Sequence, residues 1–435
     1  MAVYGRRRAG KTRLLTEFMQ RHGKGMSFLY FQCMSYDYHT CLSDFLTVAA
    51  EKFPDHRLLA GAASFHDAID DIARSHPEPL CIIIDEFPFL ARKREDAVAE
   101  FQWIIDHGLR DVKLILTGSN RSFMANQIQQ YESPLYGRFD EIMEVRPFTF
   151  RQVMTLFPDP EDAMQVYAMT GGVAQYVRFF QHYPSVRAAI AGLFFRPDGR
   201  LIQEAPNLLL QELRDSTTYE RILRSLSGGR KTTAQIASLS GLESRGLSPY
   251  MSRLTELNLI DVALNPLSSD RRNQRYRIKD MLFRFHYTFI EPNMSMINAI
   301  REEAMDHILD SRFQEYLGAV YEDVIRESCF GYAREGRLPF MPQTVGAWWG
   351  SVCEEGVWSE TEIDVLAMDD RNIAVGECKY RSKQVGIKEY RNLQMKAAFI
   401  PAKGREMYYL LASKSGFTDE LKETRDPRLT LIDMI

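Results

Sequence analysis

The chain has 435 residues, of which 45% are hydrophobic and 26% are charged, and its formal net charge is −4 at pH 7. This composition is ordinary for a soluble globular protein of two to four domains, and it gives no overall indication of a nucleic-acid-binding surface. The six cysteines are scattered and form no C-x-x-C pair, which fits a reducing compartment better than a disulfide framework. The sequence shows neither an apolar run of membrane-spanning length nor a signal peptide, so it predicts a cytoplasmic protein without membrane contact.

The first motif is the segment GRRRAGKT at 5–12, which satisfies the phosphate-binding pattern G-x-x-x-x-G-K-[ST]. Its glycines allow the backbone N–H groups to surround a polyphosphate, and a helix is predicted to begin behind it with its N-terminus facing the anion. We expect Lys11 to bind the β- and γ-phosphates and Thr12 to bind Mg²⁺. The predicted nucleotide contacts of this segment are Gly5, Arg6, Arg7, Arg8, Ala9, Gly10, Lys11, Thr12 and Arg13.

Only residues 1–4 precede this loop, so little of the strand that feeds it is expected. P-loop domains usually carry a segment before that strand which contacts the base. We therefore expect a truncated or internally initiated chain with weakened nucleotide affinity.

A second motif supports nucleotide binding. The run LCIIIDE at 80–86 is continuously apolar and ends in two acids, which suits a strand buried on both faces of a parallel sheet. Asp85 is then expected to hold Mg²⁺ through water, and Glu86 to orient or deprotonate the attacking water. Each motif alone could be a glycine turn or a capped strand, but together and in this order they predict binding of ATP or GTP.

Alternating elements follow along the chain. Strands are predicted at 26–32, 112–120 and 141–145, and helices at 42–53, 65–75, 96–106 and 121–130. Their alternation predicts a doubly wound α/β sheet, the ATPase core, over residues 1–147. Thr117, Ser119 and Asn120 close the strand at 112–120, and each is expected either near the γ-phosphate and the attacking water or as a cap of the next helix.

Arg138 follows a glycine late in this domain, where an arginine can reach a γ-phosphate in cis or in trans as a catalytic finger. The alternative is a solvated arginine beside a turn. Residues 148–215 are predicted to be mostly helical and to form a lid on the nucleotide site, with a helix-opening turn at 170–173.

Several segments together resemble the prokaryotic, especially archaeal, P-loop ATPases of the AAA+/STAND group. They are GRRRAGKT, IIIDEFPFL, LTGSN, SPLYGRF, RPFTF and TGGVAQYV. The resemblance implies that the nucleotide is ATP, that Arg138 matches the family's late-domain arginine, and that the chain ends in a poorly characterised nuclease-like domain. Two departures are the missing leading segment, which affects base recognition, and Ala174 where the family usually has proline.

Residues 216–290 predict a winged helix, because three helical segments precede two alternating segments, 260–263 and 275–278, that suit a hairpin. The hairpin loop and its second strand are basic. The candidate nucleic-acid contacts are Arg271, Arg272, Arg275 and Arg277. A protein-docking or packing module is the alternative, since the third helix carries few cations.

A linker at 291–312 precedes the last predicted domain, 313–435, where Asp364 is followed by the E-x-K motif Glu377–Lys379, the arrangement of a PD-(D/E)xK nuclease. Alternation is expected to place Asp364 and Glu377 on one face of adjacent strands as Mg²⁺ ligands, with Glu322 completing the metal site. Lys379 is expected to activate a metal-bound water or stabilise the reacting phosphate. Gln394 resembles a polar position of that superfamily.

Two functions remain open from the sequence. The first is an ATP-binding, ATP-hydrolysing and Mg²⁺-dependent switch or motor coupled to a DNA-binding winged helix and a nuclease-like domain. The second is a regulatory ATP sensor whose C-terminal domains dock partner proteins and cut nothing. Self-association of the chain is left open by both.

Overall fold

The computed structural model describes the chain except residues 55–60, 77, 92–94, 108–111, 214, 264, 269–273, 311, 355–356 and 435. The described chain divides into two compact units. The N-terminal unit comprises Met1–Phe148 and Val173–Arg178, and the second unit comprises Thr149–Gly172 and Phe179–Ile435. The segment predicted as a lid therefore contributes residues to both units.

The described residues of the N-terminal unit form a five-stranded sheet in which every paired strand is parallel. Its order is β2-β3-β4-β1-β5. The strands are β1 (Ala2–Tyr4), β2 (Ser27–Gln32), β3 (Leu80–Asp85), β4 (Val112–Gly118) and β5 (Ile142–Glu144). The predicted parallel α/β sheet is confirmed, and its short first strand lies between β4 and β5.

Helices cover both faces of this sheet. They are α1 (Lys11–His22), α2 (Tyr38–Lys52), α3 (Phe65–Ser75), α4 (Phe87–Ala91), α5 (Glu95–His107) and α6 (Arg121–Gln129). Ile82 and Ile84 of β3 join one apolar cluster, whereas Cys81 and Ile83 join another with Leu15 of α1. Because successive strand residues face opposite sides, the continuous apolar run of β3 supplies both cores at once.

In the described chain, five helices follow the N-terminal sheet, and most of the third of them belongs to the N-terminal unit. They are α7 (Phe150–Leu156), α8 (Pro160–Thr170), α9 (Ala174–Phe180), α10 (Val186–Phe194) and α11 (Glu204–Glu212). Thr149 caps α7 and Asp159 caps α8, each by accepting hydrogen bonds from backbone N–H groups of the first turn. Gly171 ends α8 in the left-handed conformation, so the double glycine separates α8 from α9.

Three helices and a small antiparallel sheet follow. They are α12 (Thr217–Leu226), β6 (Lys231–Thr232), α13 (Thr233–Ser240), α14 (Leu247–Glu256), β7 (Ile260–Ala263) and β8 (Arg275–Ile278). In the described residues the sheet has three strands in the order β6-β8-β7. The predicted hairpin strands pair from Ile260 with Ile278 to Ala263 with Arg275, and β6 is an addition that the sequence pattern did not indicate.

Short helical pieces span the end of the region predicted as a winged helix and the predicted linker at 291–312, and one long helix follows them. These are α15 (Met281–Phe285), a π-helical turn at His286–Ile290, α16 (Met294–Ile300), α17 (Ala304–Leu309) and α18 (Arg312–Arg334). Helix α18 packs on the strands that follow it. Within the described ranges, no helix combines the length and the apolar character needed to cross a membrane.

The described residues of the last part of the chain form a mixed sheet with two helices in its connections. Its elements are β9 (Thr344–Glu354), β10 (Val357–Met368), β11 (Asn372–Lys379), α19 (Ile387–Ala397), β12 (Glu406–Ser413), α20 (Asp419–Glu423) and β13 (Leu429–Asp433). Strands β9, β10 and β11 are antiparallel, and β11, β12 and β13 are parallel. Ile363, Val375 and Leu411 lie in the core between this sheet and α19.

Candidate functional site

The P-loop has the tight backbone path that its glycines predict. Gly5 follows β1, and a Cβ atom on this residue would lie 2.2 Å from the carbonyl oxygen of Val145. Only glycine therefore fits there. Gly10 has φ of 102° and precedes α1, whose first N–H groups face the loop. A helix N-terminus behind a glycine-rich loop is a site that attracts phosphate.

Lys11 is held inside this loop. Its Nζ donates hydrogen bonds to the carbonyl oxygens of Gly5 at 2.9 Å and Arg6 at 3.1 Å. The side chain is buried, and burial lowers the pKa of Lys11 although the nearby carboxylates of Glu86 and Asp85 oppose that change. The ammonium group thus lies in the loop whose backbone is shaped for phosphate.

Asp85 at the end of β3 is the centre of a hydrogen-bond network. Its Oδ2 accepts from the hydroxyls of Thr12 at 3.2 Å and Tyr30 at 2.6 Å, and its Oδ1 accepts from the hydroxyl of Thr117 at 2.7 Å. Burial and the bond to Asp85 raise the pKa of Tyr30, so this phenol stays protonated and donates. Thr12 and Asp85 bring together two hard oxygen donors, which fit Mg²⁺.

Glu86 is oriented by Ser119, which follows β4. The Oε2 atom of Glu86 accepts hydrogen bonds from the Ser119 N–H at 3.0 Å and from its hydroxyl at 2.8 Å. Thr117 instead contacts Asp85, and Asn120 caps α6 by accepting a hydrogen bond from Phe123 N–H. Of the three polar residues at the end of β4, two therefore contact the acids and one is a helix cap.

Two arginine candidates that lie outside the phosphate loop, Arg138 and Arg13, form ion pairs. Arg138 Nε donates to both carboxylate oxygens of Asp106, at 2.9 and 3.0 Å. Arg13 is exposed on α1 and lies 3.6 Å from Glu17. The assignment of Arg138 as a finger and of Arg13 as a nucleotide contact stays a prediction, and both side chains have other partners in this structure.

Helix α9 supplies contacts to the P-loop that sequence reasoning missed. The guanidinium groups of Arg6 and Arg8 lie over the ring of the fully buried Tyr176, at 5.9 and 5.6 Å from its centre. The N–H of Gln175 donates to the carbonyl oxygen of Arg8 at 3.1 Å. The motif TGGVAQYV was noticed in the sequence, but only the fold shows that it packs on the phosphate loop.

The C-terminal acids come together on adjacent strands. Val365 of β10 pairs with Gly376 of β11, which places Asp364 and Glu377 at neighbouring positions. Asp364 Oδ2 accepts a hydrogen bond from the N–H of Cys378 at 2.8 Å. Burial and the charge of Glu377 raise the pKa of Asp364. The two carboxylates are therefore close enough to influence each other, as the strand alternation predicts.

Glu377 is neutralised by two ammonium groups. Lys379 Nζ lies 2.6 Å from its Oε1, and Lys396 Nζ of α19 lies 3.0 Å from its Oε2. Burial opposes ionisation of Glu377, but these two lysines hold its pKa below the usual value. The helix after the motif thus contributes Lys396 to the site, where the sequence analysis had selected Gln394.

Glu322 of α18 interacts with Asp364, but the described acids do not form a three-carboxylate metal site. Burial and the charge of Asp364 raise the pKa of Glu322 to about 7, so near neutral pH it is ionised only in part. In the described part of the chain, no three His, Cys, Asp or Glu side chains lie close enough to hold a metal ion. The expected three-carboxylate geometry is therefore not found. Asp364 and Glu377 remain the better pair, since Mg²⁺ is often bound by one or two carboxylates together with substrate phosphates.

The described arginines of the predicted hairpin pair with acidic residues of the same chain. Arg275 Nη1 donates to Glu362 at 2.8 Å, and Arg277 Nε donates to Asp261 at 2.9 Å while its Nη1 contacts the buried Asp323. These partners count against free nucleic-acid contact by Arg275 and Arg277. The other two candidates, Arg271 and Arg272, lie outside the described residues.

Asp323 forms a buried cluster with arginines from three elements. Besides Arg277 of β8, it contacts Arg284 of α15 at 2.9 Å and Arg326 one turn along α18. Burial alone would raise the pKa of Asp323, but the three guanidinium groups hold it far below the usual range. The sequence shows Asp323 only as the neighbour of Glu322, and no local pattern indicates the cluster.

Comparisons with known proteins agree with the geometry of the N-terminal site. Residues 1–179 match a family described as an ATPase domain predominantly from Archaea, and residues 286–391 match archaeal and bacterial proteins of unknown function. An uncharacterized protein of Methanocaldococcus jannaschii is 28% identical over 431 residues, covering 95% of this chain and 90% of that protein.

Solved structures with some likeness include a Walker-type ATPase of Pyrococcus abyssi, with 19% identity and a TM-score of 0.48, covering 66% of this chain and 90% of that one. Another is Cdc6p of Pyrobaculum aerophilum, with 14% identity and a TM-score of 0.34, covering 68% of this chain and 86% of that one. The family match, the P-loop and the acidic strand together make residues 1–179 a P-loop ATPase domain.

Proposed function

We propose that the chain hydrolyses ATP at the P-loop and that the ATP cycle controls a nucleic-acid-processing C-terminal domain. The observation that carries the proposal is that Asp364 and Glu377 occupy neighbouring positions of paired strands, with Lys379 2.6 Å from Glu377, in the same chain as an ATPase domain. The mixed sheet with α18 and α19 around it has the elements expected of a nuclease-like domain.

At the N-terminal site, Lys11 and the loop N–H groups bind the phosphates of ATP. Mg²⁺ held by Thr12 and Asp85 would neutralise phosphate charge. Glu86, oriented by Ser119, positions the attacking water and accepts its proton. The water oxygen bonds to the γ-phosphorus while the bond from the β–γ bridging oxygen breaks, which yields ADP and phosphate.

At the C-terminal site, Asp364 and Glu377 are the ligands for a divalent metal ion, which would activate a water for attack on a phosphodiester. For Glu377 to serve as a ligand, one of its two ammonium partners must move away. Lys379 and Lys396 are both placed to contact the negatively charged phosphate of a substrate instead. The two lysines would therefore pair with Glu377 when the site is empty and contact the substrate phosphate when metal and substrate are bound.

The test is a nuclease assay with Mn²⁺ or Mg²⁺ on single-stranded, duplex and branched DNA, combined with calorimetry of Mn²⁺ binding. Asp364→Ala should lose metal uptake and cleavage but keep ATP turnover. Asp370→Ala is the matched control, because Asp370 is exposed in the turn after β10. Metal uptake that is indifferent to Asp364 would refute the site, and normal uptake without cleavage of any substrate would leave a nuclease-like fold that binds metal only.

A second function is favoured by the contacts of the basic hairpin. Three helices with a three-stranded sheet, counted in the described residues, are the elements of a winged helix, but Arg275 and Arg277 pair with acids of this chain. In a regulatory ATP sensor, such a module packs or docks and does not bind DNA. Stimulation of ATP turnover by duplex DNA would favour the first function, and its absence would favour the sensor.

A further inference from the structure

A cavity of about 350 Å³ lies in the second unit between α12, β8, α15 and α18. Its volume is at the lower end of the range for small-ligand sites. The described lining includes an unusual set of side chains of one type: Arg230, Arg275, Arg277, Arg284, Arg312 and Arg326. We call it the arginine cavity. Guanidinium groups recognise phosphate through paired N–H donors, and six of them define an anion site unless acids neutralise them.

Acids in and around the cavity pair with most of these arginines but not with all of them. The described lining contains four acids, namely Glu315, Glu322, Asp323 and Glu362. Two acids outside the lining also pair with its arginines: Asp261 lies 2.9 Å from Arg277, and Glu360 lies 3.8 Å from Arg275. A phosphate monoester carries about 1.5 to 2 negative charges at pH 7. The donors that remain for such a group are those of Arg230 and Arg312, which form no hydrogen bond to an acid among the described residues.

The arginines differ in how fully they are paired. Asp323 takes up Arg277, Arg284 and Arg326 in its buried cluster. Arg230 lies 3.7 Å from Glu322 and 3.9 Å from Glu362, both longer than a hydrogen bond, although its side chain is only 18% exposed. The Arg230 guanidinium group thus lies near two carboxylates without a hydrogen bond to either, and a ligand oxygen in the cavity would accept from its N–H donors.

Two further arginines extend this site toward solvent. Arg312 is exposed at the first turn of α18, where the helix N-terminus also favours an anion. Arg275 is held in place by its hydrogen bond to Glu362 and by the ring of Trp349, 5.0 Å below its guanidinium group. A ligand that enters from solvent would thus meet Arg312 first.

We propose that the arginine cavity binds the terminal phosphate of a nucleic-acid strand. Arg326 lines the cavity and donates a hydrogen bond to the backbone carbonyl oxygen of Asp364, so a strand end bound here lies beside the candidate metal site. That the bound phosphate belongs to a nucleic acid rests on the proposed function, whereas the recognition of phosphate rests on the cavity alone. The Asp323 cluster holds the walls of the cavity in position.

The test is fluorescence anisotropy of one labelled single-stranded oligonucleotide carrying a 5′-phosphate, a 3′-phosphate or no terminal phosphate. It is performed with the full chain in a chelator, without ATP, and in the Lys11→Ala background so that the P-loop does not contribute. Loss or gain of one charge-assisted interaction corresponds to a change on the order of tenfold in affinity. We expect one of the two phosphorylated forms to bind about tenfold more tightly than the unphosphorylated form.

Arg230→Gln and Arg312→Gln should each remove most of this preference. Because Arg312 is exposed, its substitution keeps the test valid even if Arg230→Gln fails to fold. Arg334→Gln, at the opposite end of the same helix and also exposed, is the matched control and should keep the full preference. Equal binding of all three oligonucleotides, or a preference that survives both substitutions, would overturn the proposal.

Competition against the labelled oligonucleotide shows whether the cavity prefers a strand end to a free phosphate or a mononucleotide. Inorganic phosphate should compete weakly, and a free 5′-mononucleotide should compete less well than the phosphorylated oligonucleotide. A mononucleotide that competes equally well in an Arg230-dependent manner would overturn the assignment to a strand end. The assay needs no cleavage, so a chain that cuts no substrate but prefers the phosphorylated end would contradict the proposed nuclease function and leave this inference standing.

Discussion

The carboxylate of Glu86 accepts two hydrogen bonds from Ser119, one from its backbone N–H at 3.0 Å and one from its hydroxyl at 2.8 Å. Glu86 itself adopts φ of 55°, a conformation that is uncommon for a residue other than glycine. Such conformations persist where the surroundings hold them, and they are frequent at active sites. Ser119 thus connects the end of β4 to the residue that follows β3 and fixes the direction of the candidate base.

We predict that Ser119→Ala lowers the kcat of ATP hydrolysis by roughly tenfold and leaves KM nearly unchanged. The substitution removes the hydroxyl donor and keeps the backbone donor, so Glu86 stays in place but is less well oriented. Steady-state phosphate release measures both parameters. Ser122→Ala, the same chemical change three residues later, should leave kcat unaltered, and a shared loss in both variants would contradict the assignment.

Glu86→Gln should retain ATP binding and lose turnover by several orders of magnitude, because the amide cannot accept the proton of the attacking water. Lys11→Ala should lose ATP binding instead, since its ammonium group supplies the charge inside the loop. Binding is measured by calorimetry and turnover by phosphate release. Hydrolysis by Glu86→Gln at the wild-type rate would show that another group acts as the base.

Much of the N-terminal unit could be predicted because its signals are local. The P-loop spacing and the run before Asp85 each depend on a few adjacent residues, and helix α3 at 65–75 follows directly from apolar periodicity. Strand β3 was recognisable because a strand buried on both faces needs no polar positions. Thr12 and Asp85 then come together because the carboxyl ends of parallel strands meet at one edge of the sheet.

The second unit was harder to predict because its determining contacts are remote in sequence. Arg277 and Asp323 are 46 positions apart, and nothing near either residue indicates the other. The arginines of the hairpin predict a nucleic-acid-binding surface, whereas Arg275 and Arg277 have acidic partners in the fold. Lys396 was likewise not selected, since its approach to Glu377 depends on how α19 packs against β11.

Asp323→Asn should strongly destabilise the second unit. The substitution keeps the shape of the side chain but leaves three guanidinium groups without their shared carboxylate, and breaking a buried charge cluster in this way typically costs about 3 to 5 kcal/mol. Urea unfolding monitored by circular dichroism measures the change. Asp306→Asn is the control, because its pair with Arg187 is exposed and should contribute less than about 1 kcal/mol.

The last prediction concerns Glu322 and the pH dependence of stability. Its pKa in the folded chain is raised from 4.5 to about 7, so the folded state keeps a proton that the unfolded chain releases near pH 4.5. Where the folded state binds more protons, stability falls as pH rises. Glu322 therefore costs no stability below about pH 4.5, and the cost grows between pH 4.5 and 7 and stays constant above that range.

Glu322→Gln removes this titration, because the amide is neutral at every pH. In the presence of a chelator, we expect the variant to exceed the wild type by on the order of 2 kcal/mol in unfolding free energy at pH 8 and to match it near pH 4.5. Denaturant unfolding at the two pH values measures the difference. Glu315→Gln, an exposed position on the same helix, should show no such divergence with pH. A stability gain of Glu322→Gln that is equal at both pH values would mean that Glu322 is not the titrating group.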